Sequence, residues 1–109
     1  MDLLGMKQYL IVTITRKGCT DCIVAASREA GAEGATIVYG RGTGIHEHKK
    51  IWGIPIEPEK ELVLTIIPEE KLQSVRDAIV KAGELDKPGT GICFVVELKD
   101  LVGAVHQRT

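Results

Sequence analysis

Aromatic side chains are scarce, at 4% of the 109 residues, with one tryptophan, two tyrosines and one phenylalanine. So few rings argue against a surface that stacks unpaired bases. An excess of either charge is also missing. The net charge is −1, so there is no basic field to draw in nucleic acid or an anionic membrane. The longest apolar runs, Leu10–Val12 and Ile92–Val96, fall far short of the ~20 residues that cross a bilayer. Met1-Asp2-Leu3-Leu4-Gly5 has neither the cationic start nor the apolar stretch of a secretion signal, and the expectation is a cytoplasmic protein. Three cysteines, an odd number, do not make a disulfide framework. In a reducing compartment Cys19, Cys22 and Cys93 are expected as thiols.

The remaining composition is that of an ordinary globular domain, 44% hydrophobic and 27% charged. The length suits one domain over 1–109, small enough for subunit contacts to matter. Tyr9–Thr15 reads as a β-branched, largely apolar strand. Cys19–Ala30 reads as a helix with an apolar stripe of Cys19, Cys22/Ile23, Ala26 and Ala30, ended by Gly31. Ala35–Tyr39 is a second strand and Glu61–Ile67 a third. Pro68-Glu69-Glu70 opens a second helix, with Leu72, Val75, Ile79 and Ala82 as its buried stripe and Gly83 as its end. Ile92–Leu98 is a fourth strand. Gly40–Glu59, rich in glycine and proline, has no usable period and reads as one long functional or mobile loop.

Two strand–helix–strand units close most simply as a ferredoxin-like α+β sandwich, a βαββαβ chain with a four-stranded antiparallel sheet and both helices on one face. Strands one, three and four read as apolar on both sides. The uncovered face is therefore expected to pack against other subunits.

Four segments could carry chemistry. Gly40-Arg41-Gly42-Thr43-Gly44 follows a strand, and Lys87-Pro88-Gly89-Thr90-Gly91 precedes one. Glycine turns let backbone amides approach an anion, and Arg41 and Thr43 can bond phosphate. The bland alternatives are a flexible exit and a simple turn. Cys19-Thr20-Asp21-Cys22, after a strand and at a helix start, suits redox or metal work, or else packing as small hydrophobes. His46-Glu47-His48 is either a metal-ligand pair or a solvated polar run. Ile51-Trp52-Gly53-Ile54-Pro55-Ile56 puts the only tryptophan outside any predicted element, where it either packs locally or meets a partner. Glu57, Glu59 and Glu61 read as solvent-facing charges near a strand entry. No nucleophile–base or paired-carboxylate constellation is present, so the protein reads as a non-enzyme, with a small thiol-disulfide or metal-handling protein built on Cys19 and Cys22 as the alternative.

In order and spacing these segments resemble the PII signal-transduction family, the nitrogen-regulatory proteins and their PII-like relatives, from about Lys7 to Val105. Arg41-Gly42-Thr43-Gly44 is similar to the Lys-Gly-x-Gly start of that family's T-loop, here about 43–58. Ile67-Pro68-Glu69-Glu70 resembles its Val-Pro-Asp-Asp, and Gly89-Thr90-Gly91-Ile92-Cys93-Phe94-Val95 its B-loop and last strand. The resemblance implies a homotrimer binding an adenine nucleotide (AMP, ADP or ATP) as effector in inter-subunit clefts, with no obligatory cofactor or metal. It further implies a nucleotide site of Ile14, Arg41, Gly42, Thr43, Gly44, Ile66, Lys87, Gly89, Thr90 and Gly91. The loop, with His46, His48, Ile51, Trp52 and Ile54, would regulate a partner channel, transporter or enzyme. Departures are specific: the B-loop lysine is Ile92, and the tail arginines fall at Gly103 and Val105. The Arg-Gln pair after the second glycine is Ile45-His46, and no tyrosine lies in the short loop. These point to AMP, ADP or another small anion rather than to ATP with 2-oxoglutarate.

Overall fold

The computed structural model describes residues 7–43, 50–55 and 58–103. In chain order they form β1 (Gln8–Arg16), α1 (Thr20–Glu29), β2 (Thr36–Arg41), β3 (Lys50–Ile51), β4 (Ile54–Pro55), β5 (Glu59–Pro68), α2 (Glu69–Ala82) and β6 (Gly91–Glu97). The main sheet runs β2-β5-β1-β6 and is antiparallel throughout, which is the expected ferredoxin-like arrangement. No helix among the described residues is long and apolar enough to cross a membrane.

Pleating puts the odd-numbered residues of β1 and β5 against the helices. Tyr9, Ile11, Val63 and Ile67 meet Ile23 of α1 and Val75 and Ile79 of α2 in the core. Each fully buried isoleucine or valine contributes about 1.5–3 kcal/mol. The α2 stripe is as expected. That of α1 is rotated: Thr20, Ile23 and Ser27 are buried and Cys22 is exposed. Both helix ends use the same backbone motif, with different residues in the left-handed position. After α1 it is Gly31, at φ +122°, followed by the Ala32 amide donating to the Ser27 carbonyl at 2.9 Å. After α2 it is Glu84, at φ +52°, and the Leu85 amide donates to the Val80 carbonyl at 3.0 Å. Gly83 is right-handed; Ile23 and Leu85 come so near that a β-carbon on it would lie 3.2 Å from each.

Both faces of the sheet carry apolar side chains, as the strand pattern predicts. The helix-covered face includes Thr13, Thr15 and Thr65, all fully buried or nearly so. The even-numbered face carries Leu10, Val12 and Ile14 on β1, Leu62, Leu64 and Ile66 on β5, and Ile92, Phe94 and Val96 on β6. Among the described residues no helix covers it, and Ile92 is 57% exposed and Phe94 43%.

The predicted long loop is shorter than expected at both ends. Gly40 and Arg41 lie in β2 and Glu59 in β5, paired Gly40↔Lys60 and Arg41↔Glu59. The Gly42 amide then donates to the Pro58 carbonyl at 3.2 Å, one step beyond the strands. Cross-strand bonds from a segment far along the chain supply the order that the local pattern lacks. Within the connection, β3 and β4 form a hairpin, Lys50↔Pro55 and Ile51↔Ile54, so Ile51–Pro55 is not without structure as predicted. Its tip is Trp52 at φ +56° and Gly53 at φ +78°, both left-handed as a two-residue hairpin turn requires. The tryptophan is 95% exposed there.

Candidate functional site

Four chain segments gather at one end of the sheet. The register sets Thr15 of β1 opposite Glu61 of β5 and Gly91 of β6, while Arg41 of β2 faces Glu59. The exit of β2, the turn after β1, the start of β5 and the turn before β6 therefore share that end.

The turn before β6 is held by its own polar atoms. The Thr90 hydroxyl bonds the Glu84 and Lys87 carbonyls, each at 2.9 Å, and the Thr90 carbonyl accepts from Thr15 Oγ1 at 3.5 Å. What Thr90 offers a ligand is thus backbone, its side chain being committed to the turn. Lys87 Nζ stands 3.2 Å from Glu84 Oε1, with both side chains largely exposed. This turn borders a surface cavity of about 480 Å³ lined by Asp77, Val80, Lys81, Glu84, Asp86 and Lys87.

The second glycine segment, Gly42-Thr43, continues from the other edge strand, β2. Beside it, Lys17, Tyr39, Gly40, Arg41, Glu59, Lys60 and Glu61 line a cavity of about 410 Å³. Lys17 Nζ is 2.9 Å from Glu59 Oε2, and that hydrogen bond and charge raise the lysine's pKa above its ordinary value. The Gly18 amide donates to Glu61 Oε1 at 2.7 Å. Glu61 is buried, contrary to the solvent-facing role expected of it. Its place two residues before Val63, on the helix side of an alternating strand, was the available sign.

The two glycine segments are on opposite edges of the same end. Three strand spacings, about 14 Å, separate β2 from β6. Ile14 is at that end on the open face, between Leu62 and Ile92. Ile66 lies opposite Leu10 instead, four residues or about 13 Å along the sheet from Ile14's level. Gly44, His46 and His48 are outside the described residues, as are the side chains of Lys50 and Ile51.

Cys19 is the N-cap of α1 and half-buried, Cys22 is exposed one turn later, and both are free. Burial raises the pKa of the Cys93 thiol, against a smaller opposing contribution from its Thr13 hydrogen bond. Among the described residues no group of three or more histidine, cysteine or acidic side chains is placed to hold a metal.

A ferredoxin-like domain with an apolar sheet face that no described helix covers, and with a long connection leaving the end where two glycine segments lie, defines a class of small α+β sandwich proteins. The chain belongs to one family within it, the nitrogen regulatory protein P-II family, whose model matches residues 8–107. Members of that family are signalling regulators. No curated protein matches the chain by sequence. Among solved structures, PII of Arabidopsis thaliana bound to citrate superposes with a TM-score of 0.72 at 20% identity, covering 94% of this chain and 87% of that one.

Proposed function

We propose that the chain is a homotrimeric PII-like regulator, taking an adenine nucleotide between neighbouring copies. Its occupancy would reach a partner transporter or enzyme through the connection 43–58. The observation that carries this reading is that the glycine segments at the exit of β2 and before β6 lie on opposite edges of one sheet end. Three strand spacings, about 14 Å, separate those two edges within one protomer. A neighbour packed on the apolar face would bring its own β2 exit beside this chain's Gly89–Gly91, completing a cleft from two half-sites. Coupling between effector and partner would then run through that connection.

Charge favours the smaller nucleotides. A triphosphate carries roughly four negative charges and is best held by several cations, each charge-assisted bond contributing ~1.5–3 kcal/mol. Arg41 and Lys87 are the cations next to the two glycine segments, with Lys17 and Lys60 beside Arg41, while Ile92, Gly103 and Val105 stand where the family's pattern has a lysine and two arginines. Two absent contacts weaken binding by about 3 kcal/mol, on the order of a hundredfold. The citrate of the Arabidopsis protein, a small polyanion, agrees with an anionic effector of modest size.

Titration with AMP, ADP and ATP, following Trp52 emission and thermal melting together, tests the reading. AMP or ADP should bind at least as tightly as ATP, and emission should change. Tighter binding of ATP by tenfold would remove the charge argument. Absence of any nucleotide effect on either signal would remove the effector assignment.

A further inference from the structure

α1 opens with two cysteines one helical turn apart. Cys19 has φ −100° and ψ −5°, so it already follows the helical path, and its side chain makes no capping hydrogen bond. Residues three apart on such a turn have β-carbons about 5–6 Å apart, a small adjustment from the ~3.5–4.5 Å a disulfide spans. Cys22 is exposed and Cys19 half-buried, so a small oxidant reaches the first and the second stands beside it. Packing does not explain the pair: the helix buries Thr20, Ile23 and Ser27 instead. Cys93, by contrast, is half-buried and contacts Thr13. The turn leading into Cys19 is tied to β5 by the Gly18–Glu61 and Lys17–Glu59 bonds, which hold the adjacent backbone in place.

We propose that Cys19 and Cys22 form a reversible dithiol–disulfide site that exchanges with low-molecular-weight disulfides. The exposed Cys22 sulfur, as thiolate, attacks one sulfur of the small disulfide, forming a mixed disulfide and releasing one small thiolate, which takes up a proton. Cys19 sulfur, after losing its proton, then attacks Cys22 Sγ and displaces the second small thiol. Two protein S–H bonds and one small S–S bond are replaced by one protein S–S bond and two small S–H bonds. The protein is oxidised by two electrons and the small disulfide is reduced. Rate and direction follow access and the ambient thiol balance.

The test is incubation of the full chain with oxidised glutathione, then alkylation and peptide mass analysis. Cleavage after Lys17 and Arg28 gives a peptide, Gly18–Arg28, that carries both cysteines. It should lose two hydrogen atoms and regain them with dithiothreitol, leaving Cys93 as the alkylated thiol. Cys19→Ser should trap a lasting glutathione adduct on Cys22. A lasting double adduct on the unmodified chain, a disulfide-linked dimer, or no reaction at this peptide would overturn the proposal. Thermal melting of Cys19→Ser confirms that the variant is folded, and the unmodified chain decides the question without it. Nucleotide titration of the oxidised and reduced forms reads the effector site separately, so either proposal can fail alone.

Discussion

Gly91 lies against Ile14 so closely that a β-carbon on it would overlap the Ile14 carbonyl oxygen and stand 3.2 Å from the Thr15 α-carbon. Its φ of +146° is itself unfavourable for a side chain. Both partner atoms are backbone of a central strand and cannot step aside. Gly91→Ala should destabilise the fold by about 2–4 kcal/mol, seen as an early midpoint in urea unfolding. A change below about 0.5 kcal/mol would mean that β6 joins β1 by another path.

Glu84 makes the opposite case. A side-chain-bearing residue in the left-handed position costs about 1–2 kcal/mol, and the ion pair with Lys87 is surface-exposed and returns little. The bonds that define the cap use Glu84 backbone and survive substitution. Glu84→Gly should therefore stabilise by about 0.5–1 kcal/mol, the gain being limited by the greater freedom of glycine when unfolded.

The open face offers a sharper test of assembly. Ile92 and Phe94 point away from the helices, 57% and 43% exposed, so a charge there can reach solvent in a lone protomer. In a trimer it would be buried without a partner, at a cost of several kcal/mol. Ile92→Asp with Phe94→Asp should keep the far-ultraviolet circular dichroism and sediment as a monomer. Nucleotide affinity should fall with it. An unmodified chain that sediments as a monomer at micromolar concentration would end the trimer reading.

Stability should decline in alkali. Folding raises the pKa of Cys93 above its ordinary 9.0 by burial, and that of Lys17 above 10.5 through Glu59. A raised folded pKa means stability complete below the unfolded value and lost as pH rises through the folded one. The Cys93 contribution should thus begin to fade near pH 9 and the Lys17 contribution above about 10.5. Cys93→Ala should remove the earlier part of that decline in denaturation midpoints measured from pH 7 to 11. An unchanged profile would show that Cys93 ionises alike in both states.

By itself the sequence determined the strand–helix–strand repeat, the α2 stripe and the apolar character of β1 and β5. Those follow from local periodicity, with partners a few residues apart. It left α1 ambiguous, because Cys22 and Ile23 fit two helix faces and only packing against Val63 and Ile79 selects Ile23. It could not place Gly40, Arg41 and Glu59 in strands, since their order comes from ladder bonds between segments distant along the chain. The bland acids near β5 concealed Glu61, whose burial depends on a turn after β1 delivering the Gly18 amide. Arg41, Gly42, Lys87 and Gly89 were legible as anion-binding types, but not their separation. Tertiary structure alone decided that they stand at one end of the sheet on opposite edges, because strand order is a long-range property that no local pattern encodes.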